Sequence, residues 1–457
     1  MNRSMQRPRR GKRAGVIVGV AALALTGCDL DSLLEVDDPD TVNPATLEDP
    51  AVLDVVIAGA KGDFTLGYDG TGVGDRFIAV VAAMSDEVFS SGTFPTRTAT
   101  DRRDQFEPAN GNTSDAAYVD LQQARRALKD AAARVAEVRG TDDPAYPELR
   151  TLEGFTYVAL GEGYCSPIPF SNVEGGEFVF GEPIPLEQVF GEGIARFDDA
   201  LSADAAYHPA AIGKGRALLN LGRFAEAATA VSAVPTSFNY FIHHSVSGAT
   251  NPIYSLQGNG RFSVSDREGT NGQPFRSADD PRAPWFRDPN QPNGFDQAYA
   301  LFKSLKYTDF TDPVVLASGV EARLIEAEAA LQAGDAATWL SILNALRADV
   351  AAIMNAQVAS YPVADPVLAP LVDPGTTAGR RDIMFSERAF WLYLTGHRLG
   401  DLRRLMRQYG LTDDEAFPTG DYHKGGTFGD DVAFPLDFDE QNNENYSHDL
   451  CDVTSAG

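Results

Sequence analysis

A chain of 457 residues, 43% apolar and 23% charged, has the length for two or three domains or one elaborated domain. Its composition is that of a globular protein and excludes a fibrous or wholly disordered chain. Sixty-five Asp and Glu stand against 38 Lys and Arg, a net charge of −27. So acidic a surface excludes general attraction to nucleic acid or anionic lipid, both of which need basic fields.

Residues 1–27 read as a signal peptide. Arg3, Arg7, Arg9, Arg10, Lys12 and Arg13 form a basic start, and residues 14–25 (AGVIVGVAALAL) form a twelve-residue apolar run. That run is too short for a permanent span and has the length of a signal-peptide core. It ends in LTGC, residues 25–28, which resembles the bacterial lipobox, where Cys28 is acylated and becomes the mature N-terminus. A plain secretory leader with an incidental cysteine is the alternative. Residues 28–45 carry six acids between Asp29 and Thr41. They read as a solvated tether holding a domain, 46–457, off a membrane. Early acidic residues also resemble the surface-export signal of bacterial lipoproteins. No later run approaches eighteen apolar residues, so the expectation is an anchored chain, not a spanning one.

Beyond the leader, helical periodicity dominates. Stretches 116–139, 147–160, 194–201, 209–233, 320–333, 337–354 and 382–409 place apolar residues at three- and four-residue steps. Strand patterns are short, at 178–180 and 262–264. Gly154 and Gly161, Gly215 and Gly222, Ala327 and Gly334, and Ala389 and Gly396 each set a small residue seven places before a glycine. That spacing resembles a tetratricopeptide hairpin, in which the small residue admits the partner helix and the glycine makes the turn. The fold class expected is mostly α, with tetratricopeptide-like hairpins separated by long loop-rich insertions. The largest insertion, 236–310, holds six prolines after residue 250 and thirteen of the chain's aromatic residues. A loop that long is usually functional. A second irregular zone, 89–112, carries Phe89, Phe94 and Phe106 beside Arg97, Arg102 and Arg103. After Cys28, the cysteines left are Cys165 and Cys451, an even pair expected to form a disulfide outside the cytoplasm.

Residues 386–408 concentrate Arg388, Arg398, Arg403, Arg404, Arg407 and His397. Read as one helix, Phe385, Ala389, Leu392, Gly396, Leu399, Leu402 and Met406 make its buried stripe. Arg403, Arg404 and Arg407 then oppose the negative end of its dipole. Asp401 lies within reach of Arg398 and Arg404, and the Glu387-Arg388 pair is placed to bind backbone of a neighbouring hairpin. These arginines are therefore expected to hold the fold. His243-His244 lacks a third ligand at a usual spacing and reads as a surface pair. The segment 437–441 begins like a calcium loop but has Asn442 where its glycine belongs. Asp86-Glu87 reads as a helix-end pair. Neither a metal nor a cofactor is expected.

Several motifs together resemble the SusD/RagB family of nutrient-binding outer-membrane lipoproteins. They are the Cys28 lipobox, LGEGYCSPIPF at 160–170, DDPRAPW at 279–285, EARLIEAEAALQAGD at 321–335, LNALR at 343–347, ERAFWLYLTGHRLGDLRRL at 387–405 and FPLDFDEQNNEN at 434–445. The structural motif rests on Glu387, Arg388, Gly396, Arg398, Asp401, Arg403 and Arg404. Trp391 and Thr395 depart from the family pattern. The resemblance implies a lipid-anchored, cell-surface protein that binds a glycan or peptide without cleaving it. It also implies delivery to a SusC-like TonB-dependent transporter, with no nucleic acid as partner. Trp285, Phe286, Tyr240, Tyr254, Arg261 and Arg282, in the insertion, are the expected ligand contacts, since rings and forked donors suit sugars and peptides. The alternatives are a helical-repeat scaffold for outer-membrane assembly and a lipid-anchored glycoside hydrolase.

Overall fold

The structure, a computed structural model, describes residues 52–105, 111–174 and 177–457. The leader 1–27, the tether 28–45, Cys28 and Phe106 lie outside the described residues. Among the described residues, fifteen α-helices stand against ten strands of two to five residues, so the mostly α expectation holds.

Helices α1 (Leu53–Tyr68), α2 (Phe77–Met84) and α3 (Pro95–Asp101) precede the long α4 (Asp115–Val138). On α4 the predicted steps become one buried stripe of Ala117, Leu121, Ala124, Leu128, Ala131 and Val135. That stripe packs on α1 and on α5 (Ala145–Gly163). Every residue of α5 from Thr151 to Gly163 is buried, which makes it the central helix. Helices α6 (Leu186–Ala203), α7 (His208–Asn220) and α8 (Phe224–Val231) follow, each packed on the one before. After α9 (Pro252–Gly258), α10 (Gly319–Gln332) returns to pack on α8 and on α11 (Ala336–Ala348). The chain closes with α12 (Val350–Gln357), α13 (Thr377–Trp391), α14 (Arg398–Tyr409) and the short α15 (Asp413–Ala416).

Three of the four predicted hairpin glycines make turns. Gly222, Gly334 and Gly396 sit at φ +70°, +78° and +77°, where a side chain is strained. Gly161 does not, because α5 runs on to Gly163. A β-carbon there would lie 2.9 Å from the Phe190 ring, and one at Gly154 2.6 Å from Phe197. Both glycines let α6 seat its rings against α5.

The stretch 382–409 is not one helix. It breaks between Trp391 and Arg398, with Leu394 at φ +53°. Freed backbone groups there find side-chain partners. Glu87 accepts the Leu394 N–H at 2.6 Å, the Tyr307 hydroxyl donates to the Leu394 carbonyl at 3.0 Å, and the Tyr68 hydroxyl donates to Thr395 at 3.1 Å. Lys306 donates to the Tyr393 carbonyl. Every residue from 387 to 405 is buried, so the expected single apolar stripe is instead a segment enclosed on all sides.

The strands pair antiparallel in twos. They are β1 (Val88–Ser90) with β7 (Phe262–Val264), β2 (Ile168–Pro169) with β5 (Pro183–Ile184), and β3 (Asn172–Glu174) with β4 (Glu177–Val179). The others are β6 (Asn239–Ile242) with β10 (Val314–Ser318) and β8 (Trp285–Phe286) with β9 (Lys303–Ser304). The insertion is not slack loop. Ile253, Leu256, Phe262 and Phe275 build a second apolar cluster with Ile78 and Ala79 of α2 and with Tyr393. Cys165 and Cys451 are joined by a disulfide, with Cα atoms 5.3 Å apart. Val453 beside it accepts backbone bonds from Val432 and Ala433, so the tail is held twice. Among the described residues no single helix is long and apolar enough to cross a membrane.

Candidate functional site

Of the arginines of 388–404, Arg388, Arg398 and Arg404 are sealed into ion pairs. Arg398 grips Asp86 with two bonds, 2.7 and 2.9 Å. Asp401 takes Arg388 at 2.8 Å and Arg404 at 2.8 Å, and Arg404 reaches on to Glu328 of α10 at 2.5 and 3.0 Å. Burial opposes the Asp401 charge, but Arg388 and Arg404 outweigh it and hold its carboxyl well below the usual range. Glu387 accepts from Arg282 at 2.7 Å and from Arg347 at 2.6 Å. The residue that binds neighbouring backbone is Arg403, not the Glu387-Arg388 pair. Its guanidinium donates to the carbonyls of Gly161, Glu162, Tyr164 and Ala456. Arg398 pairs with Asp86 and not with Asp401, because α14 turns it toward the end of α2.

A cleft of roughly 410 Å3 opens elsewhere, lined by Phe89, residues 265–269, Arg276, Tyr299, Asp421, Tyr422, His423 and Phe428. Strand alternation builds one wall. On β1, Val88 and Ser90 are buried and Phe89 turns to the cleft. Its partner β7 leads directly into 265–269, where Arg267 sits at φ +54°, a strained conformation of the kind that collects at working sites. The opposite wall is a tight reversal at 421–427. Gly425 and Gly426 have φ of +97° and +76°, and Tyr422 N–H donates to the Gly426 carbonyl. Four rings meet there. His423 lies 4.9 Å from Phe89, 4.9 Å from Tyr299 and 4.3 Å from Tyr422 between centroids. The Tyr299 hydroxyl ties the walls together by donating to the His423 carbonyl at 2.7 Å.

Charge lies beneath the rings. Asp101 at the end of α3 accepts the Ser90 N–H at 2.8 Å and the Tyr422 hydroxyl at 2.5 Å. Glu268 accepts the Ser265 hydroxyl at 2.6 Å. Burial pushes the Glu268 carboxyl well above its ordinary value, and the nearby Asp101 adds to the push. Asp101 is raised as well, chiefly by burial. Flat rings beside carboxylates and the cations Arg267 and Arg276 offer stacking faces with hydrogen-bonding groups at the edges, a set suited to a polar ring such as a sugar.

None of the six predicted contact residues lines this cleft. Arg282 is 2% exposed and committed to Asp280 and Glu387, so it is a frame residue; its Asp-Pro-Arg turn lies over α13. Tyr240 donates to Glu148 at 2.8 Å in a different hollow. Tyr254 packs edge-on against Phe310, and Arg261 lies over the Phe295 and Phe94 rings. Trp285 stands one residue behind the wall, its indole N–H on the Arg276 carbonyl at 3.2 Å. Phe286 is 37% exposed. His244 is not a surface residue. Its imidazole meets Asp69 at 2.7 Å with both side chains fully buried. The insertion does supply residues 265–269, Arg276 and Tyr299. Tyr422, His423 and Phe428 escaped sequence reasoning, and their signal was an aromatic and a histidine packed between the glycines of DYHKGGTFGD.

No family model matches the sequence, and no curated protein matches it. Solved structures do. A SusD/RagB family protein from Bacteroides thetaiotaomicron VPI-5482 superposes with a TM-score of 0.57 at 13% identity, covering 84% of this chain and 93% of its own. A SusD-like carbohydrate binding protein from Bacteroides vulgatus ATCC 8482 gives 0.53 at 17% identity, covering 77% and 82%. A laminarin binding SusD-like protein gives 0.54 at 14% identity, covering 87% and 98%. These likenesses span 77–87% of this chain and 82–98% of the others: the fold of this protein is the one these SusD-like structures share.

Proposed function

We propose that this protein is a non-catalytic glycan-capture lipoprotein, anchored through Cys28 at the outer-membrane surface, that hands its ligand to a SusC-like TonB-dependent transporter. The observation that carries the reading is the ring-walled cleft of Phe89, Tyr299, Tyr422, His423 and Phe428. Two similar folds belong to proteins described as carbohydrate binding and laminarin binding, which favours a glycan over a peptide. The leader and lipobox favour the anchor. A bare scaffold has no need of such a cleft. A retaining hydrolase needs two carboxylates open to one substrate bond about 5 Å apart. Asp101, 1% exposed and capped by Tyr422, is out of reach of a sugar, and product analysis tests the carboxylates that do line the cleft, Asp266, Glu268 and Asp421.

Calorimetry of the mature protein against laminarin and a panel of other polysaccharides tests the ligand class. Binding without release of reducing ends is expected. Absence of binding to every polysaccharide, or cleavage of one that binds, overturns the reading. Co-purification from native membranes tests the transporter, and mass spectrometry of the mature N-terminus tests acylation of Cys28.

A further inference from the structure

Three side chains able to ligate a metal converge on the inner wall of the cleft. Asp101, Glu268 and His423 each present one ligand atom, and these atoms lie within 4.8 Å of one another. The outer atoms of all three are already engaged. Asp101 Oδ2 holds the Ser90 N–H and the Tyr422 hydroxyl, and Glu268 Oε2 holds Ser265. His423 Nε2 is 3.0 Å from the Ser90 carbonyl; a carbonyl only accepts, so Nε2 carries the proton and donates it. In the neutral ring that fixes the tautomer and leaves the Nδ1 lone pair facing Glu268 Oε1 at 3.9 Å. Apart from each other, Asp101 Oδ1 and Glu268 Oε1 find no hydrogen-bond partner among the described residues, and Asp101 is 1% exposed. Buried acceptors without donors are costly and call for a positive charge between them.

We propose that Asp101, Glu268 and His423 bind one divalent transition-metal ion, zinc or manganese, with its remaining coordination positions open to the cleft. Ligand atoms at about 2.0–2.2 Å from one ion fall about 3–4 Å from each other, within the span observed. One imidazole nitrogen with two carboxylates suits these ions. Calcium requires six to eight oxygens, and three protein donors converge here. The anchored outer atoms are the arrangement that orients metal ligands: an imidazole N–H on a carbonyl, and carboxylates held by a hydroxyl and an amide. Glu268 and His423 line the cleft, so a ligand hydroxyl or water completes the shell. The sequence, with these residues 155 or more positions apart, carried no such spacing and led to the expectation of no metal.

The test needs no sugar, so it stands apart from the glycan reading. EDTA-stripped protein is titrated at neutral pH with ZnCl2, MnCl2 and CaCl2 by calorimetry, and its melting temperature is followed. One equivalent of zinc or manganese with a rise of a few degrees is expected. Glu268→Gln keeps the shape and the Ser265 bond, and Asp101→Asn keeps an acceptor for Ser90. Each should weaken the ion by at least about a hundredfold in a protein that still unfolds cooperatively. Three outcomes overturn the proposal: no uptake of zinc or manganese by the wild type, unchanged affinity in both variants, or preference for calcium. Higher stability of Glu268→Gln with no ion bound would assign the cluster to a shared proton instead.

Discussion

The enclosed segment 387–405 and the cleft at Asp101–Glu268 are both crowded with buried charge, and they differ in how it is balanced. In the first, carboxylates meet guanidinium groups. Asp86, Asp401, Glu328 and Glu387 each have at least one arginine at hydrogen-bond distance. In the second, two carboxylates and an imidazole face each other with acceptor atoms left over. Matched charges fix one geometry, because taking either partner away strands the other in low dielectric. Unmatched charge is costly wherever it is buried, and the frame carries some too, at Glu87 Oε2 and Arg403 Nε. What sets the cleft apart is that its unmatched acceptors lie together beside an opening.

The comparison breaks most visibly at Asp401. Asp401→Asn leaves Arg388 and Arg404 without the anion that joins α13 to α14, and the expected loss is about 3–5 kcal/mol. Urea unfolding reads it. Glycan affinity of the protein that remains folded should not change, since Asp401 does not line the cleft. A neutral effect on unfolding would mean that the network contributes nothing to stability.

Glu87 is the exception within the frame and gives an effect of opposite sign. Burial pushes its carboxyl from 4.5 up to about 8, and the Leu394 N–H and the cations Arg398 and Lys306 offset this only in part. A folded-state pKa raised above the unfolded value favours the protonated form. Its contribution is full below about pH 4.5 and is lost as pH climbs through 8. Glu87→Gln mimics the protonated group and can still accept from Leu394. The variant should match wild type near pH 4.5 and exceed it increasingly toward pH 8, by on the order of 3 kcal/mol. Parallel stability–pH curves would contradict this.

At the cleft the effects move from folding to binding. Phe89→Leu keeps most of the volume and removes the ring. Glycan affinity should fall about tenfold, or about 1.4 kcal/mol, while stability changes by less than about 1.5 kcal/mol. Calorimetry beside urea unfolding separates the two. The reverse pattern would make Phe89 a packing residue.

What sequence could reach follows the same division. Helices with one buried face, such as α4, announce themselves by period, and turn glycines at 222, 334 and 396 announce the hairpins. α2 does not, because FIAVVAAM is buried on all sides and has no polar face to set a period. Gly396 marked a turn within 392–397, but the groups that satisfy the freed backbone there, Glu87, Lys306, Tyr68 and Tyr307, come from distant segments and stayed hidden. The structural role of the arginines was legible from their apolar setting, and so was the Asp401–Arg404 pair, but the distant partners Asp86 and Glu328 were not. The cleft was least legible. It draws on residues 89, 265–299 and 421–428, and no single segment carries the pattern.

The smallest effect tests that last point. Phe286 has the look of a ligand residue in the sequence: a ring beside Trp285 in a proline-rich insertion. In the fold it sits on β8, paired with Lys303, 37% exposed and outside the cleft. A half-exposed ring that stacks on no other ring among the described residues costs little to remove, so Phe286→Ser should alter stability by no more than about 0.5 kcal/mol and leave glycan affinity unchanged. If affinity instead drops as far as in Phe89→Leu, the ligand lies along the β8–β9 edge, and the rings of Tyr299, Tyr422 and His423 are packing rather than a binding surface.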